Sequence, residues 1–163
     1  MNWPTYRSRY LPAFSLAGIE AIANKDLAVV ILPIGAIEQH GPQLPVGVDA
    51  LVGQIFLDLA LPMLADDAPV YVAPPIQVAK SNEHDGFPGT LILHRDLVRQ
   101  LILSAGRQIA EWGFRRIAIL NTHGGNISVV KSALRELGLE QGLEVEVLSF
   151  PYEADIPERE KAY

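Results

Sequence analysis

The stretch LAVVILPIGAIEQHGPQLPVGVDA, residues 27–50, joins two unlike halves. Leu27 to Leu32 is a short apolar run rich in β-branched residues, which suits a strand covered on both faces rather than one open to water. From Leu32 to Ala50, three prolines and three glycines make the chain too stiff to wander and too irregular for a helix, yet Glu38, His40 and Asp49 sit within it. A buried strand running into a stiff loop with acids and an imidazole fits an α/β protein, where ligands collect beyond the carboxyl ends of parallel strands.

The rest of the chain repeats the alternation. Apolar runs recur at Val70–Ala73 (VYVA), Ile117–Leu120 (IAIL) and Val145–Phe150 (VEVLSF). Between them, Val98, Leu101, Ile102, Ala105, Ile109 and Trp112 share one helical stripe, with Asp96 expected as N-cap and Gly113 as terminator. Ile127, Val130, Leu134 and Leu137 form a second stripe, expected to close at Gly138, and Leu51 to Leu64 reads as a third helix that ends or kinks near Pro62. The expected fold is α/β: a three-layer α/β/α sandwich around a mostly parallel sheet. With no repeat, linker or low-complexity tract, residues 1–163 read as a single domain, and the charged stretch Glu153–Lys161 as solvated, mobile surface.

Composition narrows the chemistry. Hydrophobic residues make up 49% of the chain, enough for a sizeable core without staples, and the absence of cysteine leaves imidazole and carboxylate as the groups able to hold a metal. Thirteen basic residues against nineteen acidic ones give a net charge of −6, and the basic ones are scattered, which speaks against nucleic acid or an acidic membrane surface as partner and for a small molecule. No leader pattern and no apolar run near the roughly 20 residues of a membrane span appear, so a cytoplasmic protein is expected.

Glu38 and His40 are two apart, so an extended segment sends both side chains to one side. Asp49 follows after an excursion able to fold back. Downstream, NTHGGN (Asn121–Asn126) places His123 behind a buried strand, trailed by two glycines that permit close backbone approach and by Asn126, a natural N-cap for the next helix. Two imidazoles and two carboxylates suit Zn²⁺ or Mn²⁺, and a carboxylate such as Asp49 could bridge two ions about 3.5–4 Å apart. Taken singly, His123 also reads as a core or capping histidine and Asp49 as an ordinary helix cap. The GGN turn alone would suit a phosphate cradle, but no G-x-G-x-x-G or P-loop pattern accompanies it.

Three motifs in order, EQHGPQLPVGVD, SNEHDGFPGTLIL (Ser81–Leu93) and NTHGGN, resemble the creatininase (creatinine amidohydrolase) family, whose members carry EQHGPHLPL-x-x-D, S-x-EH-x-x-FPGT and NGHGGN. The resemblance runs from about Leu27 to Phe150. It implies an α/β/α fold, a hexamer or other homo-oligomer, and two divalent ions, zinc or manganese, that activate a water against a non-peptide C–N amide bond. By match to the motifs, Glu38, His40, Asp49 and His123 are implied metal ligands, with Asp49 the bridge, Glu38 and His123 on one ion and His40 on the other. Glu83 and His84 of the middle motif are catalytic candidates, as proton shuttle or substrate contacts, with an ordinary loop role equally open. Phe87–Thr90 reads as a rigid turn into a short strand that shapes one wall, and His94 as a residue near the start of the following helix.

The resemblance is incomplete. Family members continue into an H-x-G-x-x-ETS segment whose glutamate completes the second ion's shell, and creatinine hydrolases take that carboxylate from the position matching Gly125. Neither source is present in these 163 residues, so a creatininase-like domain without the family's C-terminal segment is expected. Two functions follow: a metal-dependent amidohydrolase acting on a small cyclic amide or formamide, or a truncated, non-catalytic subunit that binds metal weakly or serves in oligomerisation. Gly125 points away from creatinine itself as substrate.

Overall fold

The computed structural model describes residues 3–148. Ser149 and Phe150, the end of the last expected strand, and the charged stretch 153–161 lie outside the described residues.

Four parallel strands, β1 (Val29–Ile34), β2 (Val70–Val72), β3 (Arg116–Asn121) and β4 (Glu144–Leu148), form one sheet in the order β2-β1-β3-β4. β1 is interior, which explains its lack of polar residues: Val30, Leu32 and Ile34 enter one core and Ile31 the other. The larger core lies between the sheet and helices α3 (Arg95–Glu111) and α4 (Ile127–Gln141), with Ile117, Ile119, Val98, Ile102, Val130 and Leu137 among its buried members. The smaller one gathers Tyr6, Ile31, Leu57, Leu61, Val72 and Leu120 beneath α2 (Val48–Ala60). A short α1 (Leu16–Glu20) precedes the sheet. Helices thus cover both faces, giving the three-layer α/β architecture.

Helix boundaries depart from expectation where a local rule met a tertiary one. Asp96 is not the N-cap of α3; His94 is, its Nδ1 accepting the Asp96 N–H at 3.3 Å, while Asp96 sits in the first turn, where its charge suits the helix dipole. Along α3 the expected stripe is buried at Val98, Ile102 and Ile109, but Leu101 and Trp112 face outward, and Gly106 replaces them at the seam. A Cβ on Gly106 would lie 2.5 Å from Leu137 Cδ1, so the absent side chain lets α4 approach. α4 runs through Gly138 and stops at Gly142, whose φ of +61° is the left-handed turn that closes helices. α2 begins at Val48, earlier than expected, and ends at Ala60; Pro62 sits in a single 3₁₀ turn, Leu61–Met63.

β1 and β3 end side by side, Ile34 paired with Asn121, and the Thr122 N–H donates to the Ile34 carbonyl at 3.0 Å. The two motif-bearing loops therefore leave the same edge of the sheet.

Candidate metal centre

Asp49 is placed by α2, and α2 by the strand ends. Gly35, just past β1, packs so closely on the helix start that a Cβ there would be 2.9 Å from both Cα and N of Ala50. From the β3 side, the Thr122 hydroxyl donates to the Asp49 carbonyl at 2.6 Å. With Gly47 in the cap position, Asp49 lies in the first turn of α2, near the positive end of the dipole, and is not itself the cap.

Glu38 is held by its loop, which folds back so that the Glu38 N–H donates to the Val46 carbonyl at 2.9 Å. The middle loop braces it from outside: Leu91 bridges Ile37 in antiparallel fashion, so the Phe87–Thr90 turn does lead into a strand-like wall, and Gln39 N–H donates to Thr90 Oγ1 at 3.1 Å. Glu38, His40 and Asp49 consequently offer ligand atoms that all lie within 4.8 Å of one another. His123 joins them from β3, its Nδ1 lying 3.2 Å from Glu38 Oε1 and 3.0 Å from Asp49 Oδ2.

Each ring's hydrogen bonding fixes what it presents. His40 Nδ1 lies 3.0 Å from the Glu38 carbonyl and His123 Nε2 2.8 Å from the Lys80 carbonyl; carbonyls only accept, so those nitrogens carry the protons. In the neutral rings the inward nitrogens are then bare. They meet opposite oxygens of one carboxylate: His40 Nε2 is 3.2 Å from Asp49 Oδ1, and His123 Nδ1 faces Asp49 Oδ2. Lone pairs opposed to carboxylate oxygens repel unless a proton or a metal ion lies between them. Glu38 Oε2 and Asp49 Oδ2 are buried without a hydrogen-bond donor. Among the described residues, no lysine or arginine pairs with either acid. Histidines anchored by backbone carbonyls, buried unmatched acids and a two-sided aspartate fit one or two divalent ions.

Electrostatics agrees. Burial alone would push the His123 imidazole down, but Asp49 and Glu38 outweigh it and hold it above the ordinary histidine value. The site draws positive charge to Nδ1, where a proton and a metal ion compete.

The middle-motif candidates border the cluster on different sides. Glu83 stands behind His123, Oε1 3.3 Å from Nε2 and Oε2 2.9 Å from the Lys80 ammonium. Burial tends to raise its carboxyl, but Lys80 and His123 bring it below the ordinary glutamate value. His84 stands in front, Nε2 3.5 Å from Glu38 Oε1.

Three residues escaped the sequence reading, Gln39, Lys80 and Thr122, and a fourth, Asn126, was expected only as a helix cap. Asn126 occupies the cap position of α4, but its side chain makes no cap bond. Wholly buried, it donates to the Gly35 carbonyl at 2.9 Å and accepts the Lys80 N–H at 3.2 Å, tying the first and middle loops to the third. All but Lys80 stand inside the motif stretches that carry the ligand candidates, and Lys80 immediately precedes one. Adjacency was the signal available.

Known proteins are similar to this chain. The profile of the creatininase family, described as creatinine amidohydrolase, matches residues 15–162. The mycofactocin precursor peptide peptidase of Mycolicibacterium smegmatis is 35% identical over 117 residues, 69% of this chain and 46% of that protein. The creatinine amidohydrolase of Pseudomonas putida is 32% identical over 161 residues, 92% of this chain and 55% of that protein. A solved manganese form of creatininase superposes with a TM-score of 0.72 at 28% identity, over 86% of this chain and 58% of that one. The chain spans about half the length of these curated relatives.

Proposed function

This chain belongs to the creatininase family, and on that premise we propose that it is a divalent-metal-dependent amidohydrolase that opens a non-peptide C–N bond in a small cyclic amide or formamide. The observation that carries the reading is the pair of bare imidazole nitrogens, His40 Nε2 and His123 Nδ1, converging on opposite oxygens of Asp49 beside the buried Glu38. Glu38, Asp49 and His123 would hold one ion, and His40 with Asp49 the second. Bound zinc or manganese supplies a water acidified towards neutrality and a Lewis acid for the amide carbonyl. The chain's own contribution is orientation: backbone carbonyls fix both imidazole tautomers, Thr122 fixes the start of α2, and the His123–Lys80 bond holds the ring against rotation. His84 at the front of the cluster is the side chain placed to meet a substrate; Glu83, behind His123, steadies that ring.

Elemental analysis on wild type and His123→Ala tests the centre: one or two ions per chain should fall to none or one. Turnover of a panel of cyclic amides and formamides, with a peptide included because one relative is named a peptidase, should vanish on exhaustive chelation and return with Zn²⁺ or Mn²⁺. Activity that survives chelation would sink the reading.

A second reading, a non-catalytic subunit that keeps the fold, draws on the α2 side of the sheet. There Ile31, Leu57, Leu61, Ala118 and Leu120 line an open apolar hollow, and Leu59 and Met63 are exposed nearby. Such a surface suits an assembly, in keeping with the homo-oligomer, in the limit a hexamer, that the family resemblance implies. Metal uptake without turnover of any panel member would favour it. No helix among the described residues is long and apolar enough to cross a membrane. We place the protein in the cytoplasm, with residues 1–163 acting as one domain.

A further inference from the structure

Three imidazoles border the cluster, and they do not present the same thing to it. His40 and His123 turn bare nitrogens inward. His84 is the exception, and the cause is Gln39, which lies between two ligand candidates yet points its side chain away from them.

The Gln39 amide is orientated by a group that cannot be misread. Gly41 N–H donates to Gln39 Oε1 at 2.9 Å; a backbone N–H only donates, so the amide oxygen must face Gly41. The amide nitrogen therefore faces His84, 2.7 Å from its Nδ1. An amide NH₂ also only donates, so His84 Nδ1 must be the acceptor. The single proton of a neutral His84 is then on Nε2, and Nε2 lies 3.5 Å from Glu38 Oε1, the same oxygen that lies 3.2 Å from His123 Nδ1. The backbone of Gln39 is pinned as well, through its N–H to Thr90 Oγ1. The His84 ring packs edge-on to Phe87, centroids 6.3 Å apart. The ring has little freedom to turn its other nitrogen inward.

We propose that Gln39 is a positioning residue that locks His84 as an N–H donor facing the cluster. In this role His84 is neither a metal ligand nor a general base. It donates a hydrogen bond to the carbonyl oxygen of the amide as negative charge develops there, the service a pre-aimed donor gives in acyl transfer. No covalent bond to His84 is formed or broken. The inference rests on the amidohydrolase reading for its catalytic part alone; the tautomer lock stands on geometry.

The two parts are tested separately. Long-range ¹H–¹⁵N correlation on the full-length, metal-free protein reports which ring nitrogen of His84 carries the proton. Wild type should show the proton on Nε2. Gln39→Glu presents a carboxylate to Nδ1 and should move the proton there, and Gln39→Leu should leave a mixture; the same spectra show whether each variant is folded. A wild-type His84 protonated on Nδ1, or a tautomer unchanged in Gln39→Glu, would overturn the lock. With a substrate from the panel, Gln39→Glu should lower kcat by roughly 100-fold, the order of one lost oxyanion donor, with KM and bound metal little changed. His84→Gln, which keeps an N–H donor, should retain more of kcat than His84→Ala. Equal losses in these two variants, or loss of metal from Gln39→Glu, would overturn the donor role. Absence of turnover in every protein, with the tautomer as expected, would defeat the amidohydrolase reading and leave the lock standing.

Discussion

The two edges of the His123 ring meet opposite surroundings. At Nε2 the ring donates to the Lys80 carbonyl, and the nearby Glu83 carboxylate is neutralised by the Lys80 ammonium 2.9 Å away. At Nδ1 it faces Glu38 and Asp49, whose buried oxygens Oε2 and Oδ2 have no donor. The Nε2 side balances its own charge within one short loop. The Nδ1 side does not, and that imbalance marks it as the candidate place for an external cation.

The largest blow to this contrast is to remove charge from the unbalanced side. Asp49→Asn should abolish measurable uptake of the second ion and weaken the first by more than about 100-fold, since it strikes a proposed ligand rather than its outer support; titration with Zn²⁺ or Mn²⁺ under calorimetry checks it. Next comes Gly125→Ala, which attacks the boundary between the sides. Its Cβ would fall 1.8 Å from Glu83 Oε1 and 2.3 Å from His123 Nε2. Glu83 can swing out but His123 cannot, so ion affinity should drop by about 10- to 100-fold, and combining the change with Glu83→Ala should not restore it.

Glu83→Gln should cost less, about tenfold or below, because the Lys80 carbonyl still accepts from Nε2. A loss as large as that of Asp49→Asn would mean Glu83 is itself a ligand and that the two sides were wrongly divided. Smallest of all is a pH slope. Because its neighbours raise His123 above its unfolded value, this group's contribution to the stability of metal-free protein is complete below about pH 6.5 and fades as pH rises through the folded value. Saturating metal should reverse the slope, since the ion displaces the Nδ1 proton; thermal melts with and without metal would show both signs.

How much of this could be read from residues alone depended on whether the deciding partner was near in sequence. β1 was legible because a strand covered on both faces has no polar position to confuse the pattern. The four ligand candidates were legible because strand ends aim loops at one edge, and the structure does gather Glu38, His40, Asp49 and His123 there. Caps were not. His94 outcompeted Asp96, and α4 ran through Gly138, where a Cβ would meet only ordinary contacts, to the left-handed turn at Gly142. Asn126 reads locally as a cap, yet its side chain serves Gly35 and Lys80, partners that no local pattern reveals. The sides taken by Glu83 and His84 depend on how a 3₁₀ turn, Asn82–His84, rests against the other two loops, which periodicity does not describe.

The hydrogen bonds that assemble the site are long in chain terms: Asn126 to Gly35 spans 91 residues and Thr122 to Asp49 spans 73. Closing loops of that size is entropically slow, so these contacts should form late on the folding route, after the sheet has docked its helices. A metal ion present in the refolding buffer would then do little to hasten folding; its effect should appear almost wholly as a slower rate of unfolding.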